Sequence, residues 1–397
     1  MRRSLSTLFL IFLPMLIQIQ AQIPQLSATS RIDLVTCGPG KEIFTYFGHS
    51  ALRVYDPVNR IDKVYNYGTF DFNVPNFYWQ FVKGKLYYML SVSRFDSFVN
   101  EYIRDNRFVR LVPLALTDTD RQELFNLLEI NNLPENRHYW YDFFLDNCST
   151  RVRDIVLKAT QNGYPVPVTE AKTLTFRQLI NPHLTPNPWP RAGMMLLLAG
   201  GADRQATISD YMFLPEQMER LFLQMKSASG QNLAGQAKTV FEPDPKKKKS
   251  LITHPYIVFS FLTLISLFLA FYPKRARLAK TWFSILFFLS GIMGILFAFM
   301  WVGSDHWVCK GNLNLAWAFP LTLFLAITLW IPGLRKINQV YSRIMMIPVL
   351  FFLITFPFWK QSIPLEGILL AVSLGAGFCR FSAFPGLTKS QPQNQAN

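Results

Sequence analysis

The chain has 397 residues, of which 50% are hydrophobic and 15% aromatic, and its formal net charge is +15. The apolar residues are concentrated after about residue 250, which excludes both a single ordinary domain and a wholly soluble protein. The basic residues of that region lie in short loops between apolar runs, and the sequence contains no nucleic-acid recognition motif. We therefore attribute the positive charge to membrane topology, predict no nucleic-acid partner, and expect a soluble half followed by a membrane half.

Residues 1–21 have the form of a secretory signal peptide. Arg2 and Arg3 precede an apolar run from Leu8 to Ile17, and Ala21 supplies a small residue at the cleavage site. An uncleaved membrane anchor is the alternative. Because no cysteine lies at the cleavage point, we do not expect the protein itself to be a lipoprotein.

Residues 22–233 predict an exported α+β domain. Its strands are expected at 50–56, 63–72, 83–93 and 107–116, where β-branched and aromatic residues alternate with polar ones. Its helices are expected at 117–128, 174–180, 189–201 and 215–225, with a further helix that begins at DNCSTR (146–151) and has Asp146 as its N-cap. Residues 234–250 are predicted to be a linker.

The membrane domain is predicted at 251–384, with a cytoplasmic tail at 385–397. Four runs approach the length that a bilayer requires, and a fifth is shorter because Glu366 and Arg380 flank it. The loops at 273–280 and 333–343 are basic and should be cytoplasmic, whereas those at 304–315 and 360–366 should lie outside. The five predicted spans are 255–272, 282–302, 313–331, 344–359 and 367–379.

The exported half offers a thiol and an imidazole as its reactive groups. It contains two cysteines, Cys37 and Cys148, and three histidines, but no CxxC or HExxH spacing that would indicate a metal site. It also lacks a phosphate-binding glycine loop and a GxSxG motif. We therefore predict neither a metal nor a cofactor.

Cys148 and His49 are the candidate nucleophile and base. A thiol at the start of a helix lies beside unpaired N–H groups and the positive end of the helix dipole, which favours the thiolate. His49 opens a predicted strand, and an imidazole facing a helix start can form a thiolate–imidazolium pair. The N–H of Cys148 and of a neighbour would then bind an oxyanion.

Two structural alternatives remain open for these residues. Two cysteines in one exported domain often form a disulfide, so Cys37 could be bonded to Cys148. His49 could also be an ordinary core histidine. From the residues alone, a Cys/His hydrolase or transferase is only narrowly favoured.

Longer motifs resemble a known family. In this chain, a strand that begins with histidine comes first, and Asn-Cys at the start of a helix follows later. This order is similar to that of the circularly permuted papain-like group, which includes the NlpC/P60 and lecithin:retinol acyltransferase relatives. Further segments resemble the Lnb-type proteins, in which an exported domain precedes several membrane spans and which are implicated in lipoprotein N-acylation. These segments are TCGPGKEIFTYFGHSALRVYD, VYNYGTFDFNVPNFYWQFVKGKLYY, NRHYWYDFFLDNCSTRVRD, GGADRQATISDYMFLP and SDHWVCKGNLNLAWAFPL.

The resemblance implies a papain-like domain at the bacterial inner membrane, facing the periplasm. Cys148 would take a fatty acyl chain from a phospholipid and pass it, with His49 as acid and base, to the amine of a diacylglyceryl-cysteine lipoprotein. The alternatives are a hydrolase that acts on cell-wall peptides or lipid esters, and a non-catalytic membrane assembly protein with a disulfide.

Several other polar residues are candidates for supporting roles. The resemblance implies that Asn66 or Asp71 orients His49. Arg53 could meet a phosphate headgroup or be an exposed strand residue. A polar cluster at the mouth of a span could contact substrate or be a plain interfacial loop. Asp146 and Asn147 are the candidates beside the thiol, and the polar cluster consists of Asp305, His306, Asn312 and Asn314.

Overall fold

The computed structural model describes residues 23–71, 73–85, 87–168, 173–244 and 254–382. The predicted signal peptide and the predicted cytoplasmic tail lie outside these residues. The described chain forms an N-terminal α+β domain followed by a helical C-terminal region.

The α+β domain is built on a seven-stranded antiparallel sheet in the order β6-β4-β3-β2-β1-β5-β7. The inner strands are buried on both faces because helices cover each side. On β2, Leu52 and Val54 face the main core, whereas Ala51 faces a smaller core with Val35 and Val64. The strands are β1 (Arg31–Cys37), β2 (His49–Asp56), β3 (Ile61–Thr69), β4 (Tyr87–Arg94), β5 (Val109–Pro113), β6 (His138–Trp140) and β7 (Lys238–Phe241).

In the described part of the domain, seven α-helices accompany the sheet. The central one, α4, packs against β2 and β3 and so brings its first turn to the middle of the sheet. The helices are α1 (Phe77–Lys83), α2 (Phe95–Arg104), α3 (Asp118–Asn132), α4 (Cys148–Ala159), α5 (Phe176–Leu184), α6 (Pro188–Leu197) and α7 (Pro215–Phe222).

The main strands and helices lie where the sequence predicts them, with three differences. The strand predicted from residue 83 begins at Tyr87, because Lys83 ends α1 and Gly84 turns the chain at φ 71°. The strands β1 and β6 and the helices α1 and α2 were not predicted. The strand β7 lies in the predicted linker but pairs with β5, so the sheet extends to Phe241 and the boundary at 233 is wrong.

The helical region contains α8 (Pro255–Phe271), α9 (Ala276–Val302), α10 (Thr322–Thr328), α11 (Arg335–Thr355) and α12 (Leu365–Phe381). Among the described residues, two segments are long and apolar enough to cross a membrane, Pro273–Val302 and Pro332–Phe358. The predicted span at 313–331 is not one continuous helix. It consists of a 3-10 turn (Leu313–Ala316) and the seven-residue α10, separated by a segment that contains Pro320.

The two halves of the chain pack together through the loops at 304–315 and 360–366. Val308 and Cys309 belong to the same hydrophobic core as the sheet of the α+β domain. The Ser362 N–H donates to the carboxylate of Asp203 at 3.1 Å. Both loops therefore lie on the side of the α+β domain, as the charge pattern predicts.

Candidate functional site: a thiol and an imidazole in one cavity

The first turn of α4 is fixed by a capping box. The side-chain oxygen of Asn147 accepts hydrogen bonds from the N–H groups of Ser149 and Thr150, each at 2.9 Å, and Thr150 Oγ1 accepts from the Asn147 N–H at 2.7 Å. The N-cap is therefore Asn147, whereas the sequence predicted Asp146. Cys148 is the first residue of the helix. Its N–H donates to no residue that the structure describes, so it is available to bind an oxyanion.

Asn147 and Asp146 both hold this turn in place. The Asn147 Nδ2 donates to the carbonyls of Phe143 and Phe213, each at 2.8 Å, so its amide is occupied on both sides. Asp146 accepts two hydrogen bonds from Arg151, at 2.5 and 2.7 Å. The positive charge of Arg151 is thus paired with a carboxylate.

His49, the first residue of β2, lies between Cys148 and Asn66. Its Nε2 is 2.5 Å from Asn66 Oδ1 on the neighbouring strand β3, and its imidazole lies beside the thiol of Cys148, with both side chains next to Gly68 at the wall of one cavity. The three side chains therefore form a thiol–imidazole–amide series. Asp71, the other candidate for orienting His49, instead accepts from the Asn73 N–H at 2.8 Å and is exposed.

The environment of this pair favours its charged form. Burial alone would raise the pKa of the Cys148 thiol, but the charge and hydrogen bond of His49, with the Ser50 N–H and the Ser149 hydroxyl, lower that pKa below its ordinary value. Burial alone would lower the pKa of His49, but Cys148 and Asn66 raise it. A lowered pKa of the thiol and a raised pKa of the imidazole together favour a thiolate beside an imidazolium.

Gly68 allows β3 to approach the pair. Its φ is 89°, and a Cβ at this position would lie 3.3 Å from the Cβ of Cys148 and 3.8 Å from Cε1 of His49. A register shift between Asn66 and Thr69 accompanies it. Gly68 was not predicted as a site residue, although a glycine inside a predicted strand is a usual sign of a bulge or a close approach.

A cavity of about 310 Å³ opens onto the pair, and we call it the thiol cavity. Its walls combine aromatic and polar side chains, and they include a buried arginine, Arg107, that the sequence did not predict as a site residue. The aromatic residues that line it include Phe44, Phe47, Phe70, Tyr88, Tyr141 and Phe143.

Cys37 lies opposite His49 on β1, but its thiol is free. All four cysteines fall within the described residues and none forms a disulfide, so the alternative in which Cys37 is bonded to Cys148 is wrong for this structure. Burial raises the pKa of Cys37 to about 12, which makes it a poor nucleophile.

Arg53 is neither exposed nor directed at a headgroup. It is buried, donates to both carboxylate oxygens of Asp62 at 2.7 and 2.8 Å, and lies 4.0 Å from Asp33. Its guanidinium stacks over Phe95. Because Arg53 is buried and its guanidinium is paired with carboxylates, it neither meets a phosphate headgroup nor is an exposed strand residue, and both predictions are wrong.

Asp305 and His306 contact α1 at the rim of the α+β domain. His306 Nε2 lies 3.0 Å from the Phe81 carbonyl, and the Asp305 N–H donates to the Lys83 carbonyl at 2.8 Å. Beside them, Trp79 stacks on Phe299 of α9 with ring centroids 5.0 Å apart. The loop thus fixes α1 to the helical region.

Asn312 and Asn314 are buried and hold α6. Their Nδ2 groups donate to the Leu196 carbonyl at 2.8 and 3.0 Å, and Asn314 Oδ1 accepts from Trp317. The exposed fraction of Asn312 is 1% and that of Asn314 is 0%. These two residues are therefore not accessible to a substrate, and the prediction of substrate contact is wrong for them.

In the described part of the chain, no group of three or more His, Cys, Asp or Glu residues could hold a metal ion. The site consists of the groups named above.

Comparison with family models gave two matches that follow the two halves of the chain. Residues 20–181 match the Lnb N-terminal periplasmic domain, and residues 246–382 match the Lnb transmembrane domain. Neither the curated proteins nor the solved structures gave a match. The matched segments cover about three quarters of the sequence, in the order that the resemblance predicts. The chain therefore belongs to the Lnb family and has a periplasmic domain followed by a membrane region.

Proposed function

We propose that this protein is a lipoprotein N-acyltransferase that carries a fatty acyl chain on Cys148. The observation that supports the proposal most strongly is the series Cys148, His49 and Asn66 at the wall of the thiol cavity. A nucleophile, a base and a group that orients the base are what acyl transfer through a thioester requires. Membership of the Lnb family agrees with this reaction class.

In the first half of the reaction, the Cys148 thiolate attacks the carbonyl carbon of a phospholipid ester. The N–H of Cys148 faces the developing oxyanion. The carbon–oxygen bond to the glycerol then breaks, and the His49 imidazolium gives its proton to the departing oxygen. The products are an S-acyl enzyme and a lysophospholipid.

In the second half, the α-amine of a diacylglyceryl-cysteine lipoprotein attacks the thioester. His49, now neutral, accepts the amine proton, and the carbon–sulfur bond breaks to return the thiolate. The Asn66 amide oxygen accepts a hydrogen bond from the imidazole and keeps its orientation during both proton transfers. No external co-reactant is needed.

Both proposed substrates are anchored in a membrane, and the position of the thiol cavity suits such substrates. Phe70 and Phe44 on its wall meet edge to face, and Phe70 stacks on Phe77 of α1, which is fixed to α9 and to the loop at 304–315. We propose that the α+β domain has a papain-like fold and lies in the periplasm. We further propose that the helical region crosses the bacterial inner membrane five times.

The rival activity is hydrolysis, in which water and not an amine attacks the thioester. The two activities share the acyl enzyme and differ in its fate. A non-catalytic role remains a further alternative, but the disulfide on which it was based is absent, because Cys37 and Cys148 are both free.

Incubation of the purified protein with a phospholipid and a synthetic diacylglyceryl-cysteine peptide tests the proposal. Mass spectrometry should show the peptide heavier by one acyl group on its α-amine, together with an equal amount of lysophospholipid. The Cys148→Ser variant should form neither product. Free fatty acid with an unmodified peptide would favour the hydrolase, and the absence of any acyl transfer would contradict both enzymatic readings.

A further inference from the structure

We propose that Arg107 forms an anion subsite in the thiol cavity and binds the phosphate group of the acyl donor. This inference rests on the proposed function and identifies how that site would recognise a phospholipid instead of a neutral lipid ester. It is carried by the burial of Arg107, by its lack of an ion pair with any residue that the structure describes, and by its position in the same cavity as Cys148.

Arg107 is buried, with an exposed fraction of 7%, between α2 and β5. Its Nε donates to the Gly38 carbonyl at 2.8 Å, and its guanidinium lies over the Tyr102 ring at 4.5 Å. Within the described residues, no carboxylate pairs with it. The other buried arginines differ, since Arg53 pairs with Asp62 and Arg177 with Asp203.

The loop after β1 is fitted closely around this side chain. A Cβ on Gly40 would lie 3.2 Å from Cδ of Arg107 and 2.4 Å from Oγ1 of Thr45, so a larger residue would displace both side chains. Because the Nε and the stem are held in this way, the rest of the guanidinium is presented in a fixed direction.

Arg107 and the thiol share one cavity. The residues that line the thiol cavity include Arg107, Tyr102 and Thr45 together with Cys148 and His49. The positive charge of Arg107 also opposes protonation of His49, which places the two groups within electrostatic range of each other. A donor with its ester at Cys148 therefore has Arg107 nearby.

A phosphate is the ligand that best fits this environment. A buried cation without a counter-charge has lost hydration, and an entering anion restores the lost interaction. Guanidinium groups bind phosphate oxygens through two parallel N–H bonds, which adds orientation to affinity. Glu101 also lines the cavity, but it is exposed and its charge is screened by solvent. In a phospholipid, the glycerol backbone joins this phosphate to the ester that Cys148 would attack.

The first test compares two acyl donors, a phospholipid in detergent micelles and an uncharged short-chain p-nitrophenyl ester. We expect Arg107→Gln to lower kcat/KM for Cys148 acylation by the phospholipid about ten- to a hundredfold, as the loss of a hydrogen bond to a charged group would. The reaction with the neutral ester should stay within about twofold of the wild type. For the phospholipid, the kcat/KM of Arg107→Lys should lie between that of the wild type and that of Arg107→Gln. Arg104→Gln, at an exposed site on α2, is the matched control and should leave both rates unchanged.

An equal loss for both donors would overturn the inference, because it would assign Arg107 to the oxyanion or to the loop 38–45. Unchanged rates for both donors would also overturn it. Thermal melting of each variant shows whether it is folded, and the Arg107→Lys variant keeps the test valid if Arg107→Gln does not fold.

The second test measures equilibrium binding of a short-chain diether phospholipid, which has no ester for Cys148 to attack, against the corresponding diether glycerol. The wild type should prefer the phospholipid, and Arg107→Gln should lose that preference. If inorganic phosphate displaces the diether phospholipid at equal concentration, the subsite takes free phosphate and the lipid assignment fails. Preferential phospholipid binding without any acylation of Cys148 would refute the proposed function but would still support the anion subsite at Arg107.

Discussion

At the scale of single residues, the pKa shifts of the thiol and imidazole control the proposed chemistry. The reactive state requires Cys148 deprotonated and His49 protonated. It is therefore lost as the pH falls through the lowered pKa of Cys148, and it is lost again as the pH rises through the raised pKa of His49. We therefore expect a bell-shaped pH profile of kcat/KM for the acylation of Cys148 by an ester.

Asn66 should control the alkaline limb of that profile. Its amide raises the pKa of His49 through a hydrogen bond to the imidazole. In Asn66→Ala this limb should move to lower pH, and the maximum rate should fall about a hundredfold, within the range for general acid–base catalysis. Stopped-flow acylation measured across the pH range checks both effects. An Asn66→Ala profile identical to that of the wild type would show that Asn66 does not orient His49.

Gly68 should be required for close packing against the pair. Gly68→Ala places a Cβ 3.3 Å from the Cβ of Cys148 at a φ of 89°. We expect a loss of about 1–3 kcal/mol in unfolding free energy from the backbone conformation, and a slower reaction of Cys148 with a neutral ester. Gly230→Ala is the matched control, since Gly230 has a φ of 84° but nothing within 4 Å of a Cβ. If both variants lose the same stability and neither loses reactivity, the contact with Cys148 is unimportant.

At the scale of elements, α1 is one part of the periplasmic domain that meets α9. Trp79 stacks on Phe299, whereas Tyr78 on the same helix is 76% exposed and packs against Phe77. Aromatic residues are favoured where a protein meets the membrane–water interface. Trp79→Ala should therefore lower acylation by vesicle phospholipids about tenfold, with little effect on a soluble ester. Tyr78→Ala should have a smaller effect, and an equal loss with the soluble ester would contradict this role for α1.

The elements also show how much the sequence can predict. The helix that carries Cys148 and the strand that begins with His49 were predicted, because both depend on local signals of capping and alternation. The choice between Asn66 and Asp71 could not be made, because it depends on where β3 bulges against β4. Gly68 and Arg107 were missed for the same reason, since their importance arises only when distant segments pack together.

At the scale of the whole molecule, buried amides join the two halves. The sequence singled out Asn312 and Asn314 for substrate contact, but their partners are backbone carbonyls of α6, and no sequence pattern distinguishes the two roles. Asn312→Leu leaves the Leu197 carbonyl without this donor, whereas the Leu196 carbonyl keeps the hydrogen bond from Asn314. We expect it to lower the stability by about 1–3 kcal/mol per unsatisfied group. Thermal unfolding in detergent measures this, with the exposed Asn73→Leu as control.

The same variant tests the need for a fixed arrangement of the halves. If the thiol cavity must be held at the membrane, Asn312→Leu should lose acyl transfer from vesicle phospholipids, while its Cys148 should still react with a soluble ester. Unchanged stability and unchanged transfer from vesicles would show that the contacts of the loop at 304–315 with α6 are dispensable.

A thioester on Cys148 can be detected from the intact mass of the protein extracted from membranes, before and after neutral hydroxylamine. We expect a fatty acyl adduct on Cys148 that hydroxylamine removes, because a thioester is cleaved by this reagent. The Cys148→Ser variant should carry no hydroxylamine-labile adduct, and Cys37→Ser should keep it. A quantitative Cys37–Cys148 disulfide, or an unmodified Cys148 thiol after incubation with phospholipid, would contradict the account.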